Sequence, residues 1–342
     1  QRRLEMARRA REQFLAEVAP HLSKQEFQQQ SEWLFQTEND DLLTRTGKEI
    51  AWTRAMIQRL RSRTDGPDLS AESAALQSIE QRASAGGTAL DMPGILSLYF
   101  DVRALKRNVM FQSPEIDFSG IICVDAPYPH RSLDTHGTFQ QTEWVHESRF
   151  RSEMCASHGA NLLVLEDFAN TPAPRRLAPT DDSGRPGAML SFDLSFDGDR
   201  ALFCMKPEDE KAYHLYEIGL DGRNFRQITF GGYSDIDPIY LPGDRYLFLS
   251  TRAEVYAQCG MWARSYIQTR CDADGSNVHI LTPGTEPEYS PSLLADGRIL
   301  STRWEYVDKF ANRIISLWTM RPDGTAAATF WGNQTVHPDH LG

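Results

Sequence analysis

The pattern of hydrophobic and polar positions divides the chain into a helical first part and a strand-rich second part. In residues 1–63, isolated apolar residues stand in a polar background, in a pattern too irregular for a strict heptad but adequate for paired helices. Ser23-Lys24-Gln25-Glu26 matches a capping box, in which the serine and glutamate side chains bond the free amide groups at a helix start. The pattern therefore predicts a second helix that begins there and runs to Leu60, forming an αα-hairpin with the first.

Two further helices are predicted before the pattern changes. One covers Ala71 to Gln81, and the sequence Ala83-Ser84-Ala85-Gly86-Gly87 after it reads as a flexible linker. The other begins at an Asp91 cap with Pro93 in its first turn, and its apolar positions from Ile95 to Val109 fall on one face. We expect this last helix to pack against the strands that follow.

From Ile121 onward the period changes to short runs of Val, Ile, Leu, Phe and Tyr bounded by Gly, Pro and Asp, which predicts β-strands. Strand-turn-strand units repeat between Phe192 and Thr325, and the second Asp-Gly pair of each unit recurs after 53 and then 49 residues. Glycine at such a turn supplies the positive φ that a tight hairpin needs. One four-stranded blade for each period, stacked on its neighbours around a channel, predicts a β-propeller.

The predicted class is therefore mainly β, preceded by an α-helical region. Its domains are a helical hairpin or arm at 1–87, a packing helix at 88–118 and propeller blades at 119–342. Runs at Ile121 to Val124 and Leu162 to Leu165 supply one more, irregular blade, which makes about four. A six-bladed ring at this period needs about 300 residues. We therefore expect an incomplete propeller and a chain that is a fragment of a longer protein.

Charge and hydropathy argue against nucleic acid binding and against a membrane-spanning segment. The formal net charge is −11, and the part beyond residue 63 carries all of the negative excess. An acidic propeller repels a phosphate backbone, so nucleic acid is not an expected partner. No apolar run reaches the roughly 18 residues of a membrane span, and the Arg-rich stretch after Gln1 is not a signal peptide.

Several phrases carry a family resemblance. Asp235 to Gly243 and Phe248 to Arg252 resemble the PD40 repeats of TolB-like propellers. Ser290 to Lys309, followed by Leu317 to Gly324, is similar to proteins with a hydrazine synthase alpha-subunit middle domain, and Trp144 to Arg151 is similar to the segment that leads into their propeller. The resemblance implies a TolB-like β-propeller in a bacterial protein that is periplasmic or exported.

The haem chemistry of that family does not carry over to this chain. Hydrazine synthase holds c-type haem through a C-x-x-C-H motif, which the five cysteines here do not form. Trp262 and Ala263 stand where Cys259 would need a second cysteine and a histidine, and Cys155 is followed by His158 without a second cysteine. Covalent haem c is therefore not expected.

A cluster of imidazoles and carboxylates is the candidate metal site. Its members are His130, Asp134, His136, His146 and His158, with Glu147 as a weak candidate for a catalytic base. These groups suit a divalent metal such as Zn²⁺ or Ca²⁺, and a glutamate can act as base beside a metal-bound water. The alternative is a solvated loop whose polar groups make structural hydrogen bonds, because no recognised spacing such as H-E-x-x-H occurs.

A second polar and aromatic cluster follows a predicted blade strand, where loops meet the channel mouth. It consists of Arg303, Trp304, Glu305, Tyr306 and Asp308. Such a loop can hold a ligand by stacking and charge-assisted hydrogen bonds. The alternative is an arginine and a glutamate that brace one blade against the next.

The leading functional hypothesis is a haem-free propeller that binds a protein or a small ligand, since no complete catalytic motif accompanies the repeats. The alternative is a metal-dependent enzyme or redox protein that uses the histidine-rich loop at 130–158, so enzymatic activity stays open at this point. The charged N-terminal helices could also dock a partner in a homo- or hetero-oligomer.

Overall fold

The computed structural model describes residues 2–35, 41–86, 91–126, 159–167, 173–177, 187–207, 212–256, 264–304 and 315–332. The chain divides into two compact units, a helical unit up to Ser119 and a sheet unit that begins at Gly120.

The described part of the helical unit contains five α-helices. They are α1 (Arg2–Gln13), α2 (Lys24–Phe35), α3 (Leu42–Arg61), α4 (Ser70–Gly86) and α5 (Met92–Phe111), with a π-helical turn at Phe14–Val18 and a 3₁₀ turn at Ala19–His21. None of them is both long and apolar enough to cross a membrane, and this holds for every helix in the described residues.

The capping signals of the sequence are confirmed. The Ser23 amide donates to Glu26 Oε2 at 2.9 Å, and the Glu26 amide donates to Ser23 Oγ at 3.3 Å, which is the reciprocal bonding of a capping box. At the start of α5, the Asp91 carboxylate accepts a hydrogen bond from the Gly94 amide at 3.0 Å.

Two boundaries predicted from the sequence are wrong. The helix expected to run from Ser23 to Leu60 is divided, because Asp41 caps a new helix by accepting from the Thr44 amide at 3.0 Å. The stretch predicted as a linker after Gln81 is helical as far as Gly86. Its alanines favour helix, and Ala83 packs against the helical core instead of standing in solvent.

Helix α5 lies at the centre of the helical unit. Leu98, Val102 and Leu105 are buried in one apolar cluster with side chains of α3 and α4. The buried carboxylate of Glu49 on α3 further joins the helices, because it accepts from Arg103 of α5 at 3.0 Å and also pairs with Lys106. Packing of α5 on the propeller stays a prediction.

The sheet unit has fifteen strands in its described residues, arranged as four antiparallel sheets. The first sheet holds β1 (Gly120–Asp125), β2 (Asn161–Glu166) and β3 (Ala173–Arg176), and the second holds β4 (Ala188–Leu194), β5 (Arg200–Lys206), β6 (His214–Gly219) and β7 (Arg226–Gln227). The third holds β8 (Asp235–Leu241), β9 (Arg245–Ser250), β10 (Ile267–Asp272) and β11 (His279–Ile280), and the fourth holds β12 (Glu288–Leu293), β13 (Ile299–Trp304), β14 (Ile315–Met320) and β15 (Ala328–Trp331).

Strands within each sheet are neighbours in chain order, and adjacent sheets stack face to face. Strand β5 shows why the stack forms: Leu202 and Cys204 enter the core shared with the third sheet, while Phe203 and Met205 enter the core shared with the first. Ile299 and Met320 of the fourth sheet pack on Leu241, Leu247 and Leu281 of the third. Burial of both faces explains why β5 is an apolar run without alternation, and meander sheets stacked in this way are the blades of a β-propeller.

Bulged first strands connect the blades. The pairing register shifts between Ile236 and Ile239 in β8 and between Tyr289 and Ser292 in β12. Asp237, at φ 48°, donates its amide to Ser191 Oγ of β4 at 3.1 Å, and its own carboxylate accepts the Ser290 amide of β12 at 3.4 Å. The first strands of three consecutive blades are therefore joined by side-chain to backbone bonds, as strands around a common channel would be.

The described residues form four sheets, and the strands expected near Ile121 and Leu162 are present as β1 and β2. The number of blades in the propeller stays a prediction. In the part of the chain that the structure describes, the four sheets form no closed ring.

The Asp-Gly turns are confirmed, and two of them have a further reason for glycine. Gly275 and Gly324 have φ values of 83° and 86°. A Cβ at these positions would lie 2.3 Å from the Ile228 carbonyl oxygen and 2.7 Å from the Leu281 carbonyl oxygen, each on the preceding sheet. Glycine therefore serves both the turn and the close approach of two blades.

Candidate functional site

Each sheet has two ends. At the hairpin end, tight turns join the first strand to the second and the third strand to the fourth. At the crossover end, the second strand leads to the third and each sheet leads to the next. Asp235 and Glu288 begin their sheets at the crossover end, and Gly198 and Gly243 lie at the hairpin end.

A cleft of about 170 Å³ opens at the hairpin end between the second and third sheets. The β4–β5 turn contributes Phe196, whose side chain is largely exposed, and Asp197. The β8–β9 turn contributes Pro242 to Arg245, and the strand ends contribute Arg200, Tyr240 and Tyr246. The cleft therefore combines an exposed aromatic ring with two guanidinium groups.

Backbone bonds in the β4–β5 turn place the two ends of that turn side by side. Ser195 donates its amide to the Arg200 carbonyl at 2.9 Å, and Gly198 donates to the Ser195 carbonyl at 2.8 Å. Gly198 adopts a φ of 73°, which its missing Cβ permits. Phe196 consequently stands at the tip of a tight turn, where it is 68% exposed.

Glu217 lies behind the cleft and fixes its inner wall. This carboxylate on β6 is buried; its Oε1 accepts from the Tyr240 hydroxyl at 3.0 Å and from the Tyr246 hydroxyl at 2.7 Å. Its Oε2 accepts from Arg226 Nε at 3.0 Å and from Nη2 at 2.6 Å. A single carboxylate of the second sheet therefore holds two tyrosines of the third, and the cleft is built before any ligand arrives.

The network also sets the ionisation of its members. Burial alone raises the pKa of Glu217, but hydrogen bonds from Tyr246 and Arg226 outweigh it, so its pKa lies below the usual value. Burial and the Glu217 charge both raise the pKa of Tyr240 and of Tyr246. Near neutral pH the cleft wall therefore presents neutral phenols held by an ionised carboxylate.

The crossover end carries a repeated acid–arginine pair. In the third sheet, Asp235 accepts from Arg252 Nη2 at 2.6 Å and from Ser250 Oγ at 2.6 Å. In the fourth sheet, Glu288 accepts from Arg303 Nη2 at 2.8 Å. Burial raises the pKa of Asp235 to about 6, although Arg252 opposes the shift.

The structure places Arg303 in such a pair, at the end of β13. Its guanidinium also lies over the Trp318 ring at 4.6 Å. Glu288 in turn accepts a hydrogen bond from the backbone amide of Gln268, in the third sheet, at 3.0 Å. These contacts join the third and fourth sheets, which favours the bracing alternative for Arg303. Trp304 follows on β13, and its amide donates to the Pro287 carbonyl at 3.0 Å.

The other predicted site residues lie outside the described residues. They are the ligand candidates Glu305, Tyr306 and Asp308, the metal candidates His130, Asp134, His136, His146 and His158, and the candidate base Glu147. The neighbouring strands have their near ends at the crossover end. Strand β13 ends there, and β2 begins there, because the Ala160 amide just before β2 donates to the Gly187 carbonyl at the start of the second sheet. Among the residues described, no group of three or more potential metal ligands occurs.

Sequence reasoning missed the cleft and its network. Glu217, Tyr240 and Tyr246 belong to separate strands, and nothing in their spacing brings them together. One signal was present: Glu217 is a single charge within the run His214-Leu215-Tyr216-Glu217-Ile218, where both faces of the strand are buried. A carboxylate in such a position requires partners from the neighbouring blade.

No family model and no curated protein matches the chain. Among solved structures, a TolB candidate of Agrobacterium tumefaciens is similar over 50% of this chain and 56% of its own, at 18% identity and a TM-score of 0.39. Kuenenia stuttgartiensis hydrazine synthase is similar over 63% of this chain and 32% of its own, at 14% identity and a TM-score of 0.49. TolB from Acinetobacter baumannii is similar over 52% of this chain and 39% of its own, at 16% identity and a TM-score of 0.35.

The chain thus spans little more than half of the first of these proteins and about a third of the second. Its assignment to the β-propeller class rests on its own strand order, bulged first strands and stacked sheets.

Proposed function

We propose that this protein is a propeller-type binding protein that accepts a single side chain or chain end of a protein partner in the cleft. The observation that carries the proposal is the cleft itself, with its exposed Phe196 and its wall fixed by Glu217. Sites for whole small molecules enclose roughly 300–1,000 Å³. A cleft of about 170 Å³ is better suited to one anchor group of a larger partner.

The lining residues support a protein partner. Arginine and aromatic residues are enriched at the centres of protein interfaces, where rigid side chains lose little entropy on binding. Tyr240 and Tyr246 are already immobilised by Glu217, and the Arg200 guanidinium lies over the Tyr240 ring at 5.7 Å. Ordering costs on binding should therefore be small.

Selection from a random peptide library with the full chain tests the proposal. Selected peptides should bind the Phe196→Ala variant at least about tenfold more weakly than the wild type, as expected when an interface aromatic is truncated. Phe330→Ala is the matched control, because Phe330 is a half-exposed phenyl on β15, away from the cleft lining. Peptides that bind Phe196→Ala as tightly as wild type, or a library that yields no binder, would contradict the proposal.

A metal-dependent enzyme or redox protein is the second candidate function. It is favoured by the concentration of four of the nine histidines between residues 130 and 158. Metal analysis of the purified chain and an absorbance scan for a Soret band separate the two proposals. One bound metal that is lost on His146→Ala would support the metal-dependent enzyme. The absence of both a stoichiometric metal and a Soret band would contradict this second function.

The proposal also covers the family group to which the protein is related and its location in the cell. We place the protein near the hydrazine synthase alpha-subunit middle-domain group, without its haem, on the phrases from Ser290 to Gly324. A periplasmic or exported location follows from that resemblance. Fractionation of cells that make the natural gene product tests the location, and recovery only with the cytoplasmic fraction would contradict it.

A further inference from the structure

Three hairpin turns of the sheet unit place an arginine at the same point, where the turn leads into the second strand. These arginines are Arg200, Arg245 and Arg298. Arg298 pairs with Asp296 through Nε at 2.8 Å and Nη2 at 2.7 Å. Arg200 has the carboxylates of Asp199 at 3.2 Å and Glu217 at 3.4 Å. Two of the three repeat positions therefore carry a cation with a carboxylate partner.

Arg245 differs from its two counterparts. Its Nη2 donates to the Pro242 carbonyl at 3.1 Å, and within the described residues no carboxylate lies within ion-pair distance of its guanidinium. Asp272 stands directly opposite Arg245 on β10, but its Oδ2 accepts from Asn277 Nδ2 at 2.6 Å. The acid that the strand register offers is thus engaged within its own turn.

We infer that the group received by the cleft is a carboxylate, bound by the Arg245 guanidinium while Phe196 contacts the apolar part attached to it. This inference rests on the proposed binding function. A guanidinium presents parallel N–H donors that match the two oxygens of a carboxylate, and such charge-assisted pairs are stronger than neutral hydrogen bonds. Arg245 lines the cleft with no described carboxylate at ion-pair distance, whereas Arg298 is already paired with Asp296.

Two carboxylates also line the cleft and must be weighed against this assignment. Asp197 faces Arg200, with its Oδ2 3.6 Å from Nη2, so part of its charge is compensated. Asp244 is exposed, and water screens its repulsion of an incoming anion. Arg200 also lies in the lining, so the cleft holds as many cations as anions at its surface.

The carboxylate can come from a chain terminus or from an acidic side chain, and a set of small probes distinguishes them. The class is tested with 3-phenylpropanoate against 3-phenylpropanamide, which differ only in the acid group. The source is tested with N-acetyl-Gly-Phe as the free acid, which offers a terminal carboxylate, and N-acetyl-Asp-Phe-amide, which offers a side-chain one. Binding to the full chain is followed by ligand-observed NMR titration.

Wild type should bind 3-phenylpropanoate about 10- to 100-fold more tightly than the amide, as expected for loss of a hydrogen-bonded charge. Arg245→Gln should remove this preference, Arg245→Lys should retain part of it, and Arg298→Gln, the matched control, should leave it unchanged. Circular dichroism checks that each variant is folded. Equal binding of acid and amide, an unaffected Arg245→Gln variant, or no saturable binding of the acid by wild type would overturn the inference.

The same titrations separate this inference from the proposed function. If acid and amide bind equally and Phe196→Ala weakens both, the cleft binds ligands but does not select a carboxylate. If neither Phe196→Ala nor Arg245→Gln changes binding, the ligand occupies another surface, and both proposals are wrong.

Discussion

Replacing Glu217 by glutamine tests whether the buried network holds the second and third sheets together. The change keeps the shape of the side chain and removes its charge. The new amide nitrogen can face the two phenols, because hydroxyl groups rotate and can accept as well as donate. Oε1 of the glutamine can then still accept from Arg226, but that arginine loses its countercharge.

The geometry sets the expected size of the effect. Four donors reach Glu217 at 2.6 to 3.0 Å, two from Arg226 and one from each tyrosine. Hydrogen bonds to charged groups contribute roughly 1.5–3 kcal/mol each, and breaking a buried ion pair costs about 3–5 kcal/mol. Arg226 is 42% exposed, so water compensates part of its loss. We therefore expect the free energy of unfolding of the sheet unit to fall by about 2–3 kcal/mol.

Urea unfolding followed by far-UV circular dichroism, fitted with a transition for each unit, measures this change. Glu166→Gln is the matched control, because Glu166 pairs with Arg175 at 2.7 Å but its side chain is 58% exposed. Surface pairs of this kind are worth about 0–1 kcal/mol. If Glu217→Gln is no more destabilising than Glu166→Gln, the network does not hold the sheets together and the reasoning is wrong.

Three further predictions concern the fold. Burial raises the pKa of Asp235 to about 6, so the folded state keeps this proton after an unfolded aspartate has lost it near pH 4. Stability should therefore fall by up to about 3 kcal/mol as the pH rises from about 4 to 6, and Asp235→Asn should remove that contribution from denaturation curves measured across this range. Gly275→Ala should lower the free energy of unfolding by more than about 2 kcal/mol. Gly198→Ala should lower it by only about 1 kcal/mol, because Gly198 has a similar φ but open space around its Cβ position. Equal values from urea titration would contradict the close approach of Gly275 to Ile228. Asp91→Ala should cost about 1 kcal/mol of helical-unit stability through loss of the α5 cap, and an unchanged transition of that unit would show that the cap is not needed.

Local signals in the sequence were enough for much of the architecture. The capping box at Ser23, the cap at Asp91 and the Asp-Gly turns depend on neighbouring residues alone, and all are present in the structure. The repeat length predicted one blade for each unit because strands and turns recur in a fixed order. The stacking of sheets then follows, since a strand such as β5 is apolar on both faces and needs cover on each side.

The sequence could not reveal features that depend on contacts between distant residues. Glu217 and Tyr246 are 29 positions apart, and only the stacking of two blades brings them to 2.7 Å. Arg245 and Arg298 occupy equivalent turns, yet Arg298 pairs with Asp296, while Arg245 has a carbonyl and no carboxylate partner among the described residues. The division of the predicted second helix at Asp41 was missed for a different reason, because apolar positions continue on both sides of the break.

Hydrogen exchange of the full chain, with and without a selected peptide, tests the central claim most directly. The account predicts that the peptide slows amide exchange in the two segments that line the cleft, 195–200 and 240–246, and that Arg245→Gln abolishes this protection. Protection confined to the end of β13 around Arg303, with no change in the cleft segments, would contradict it and would place binding at the crossover end.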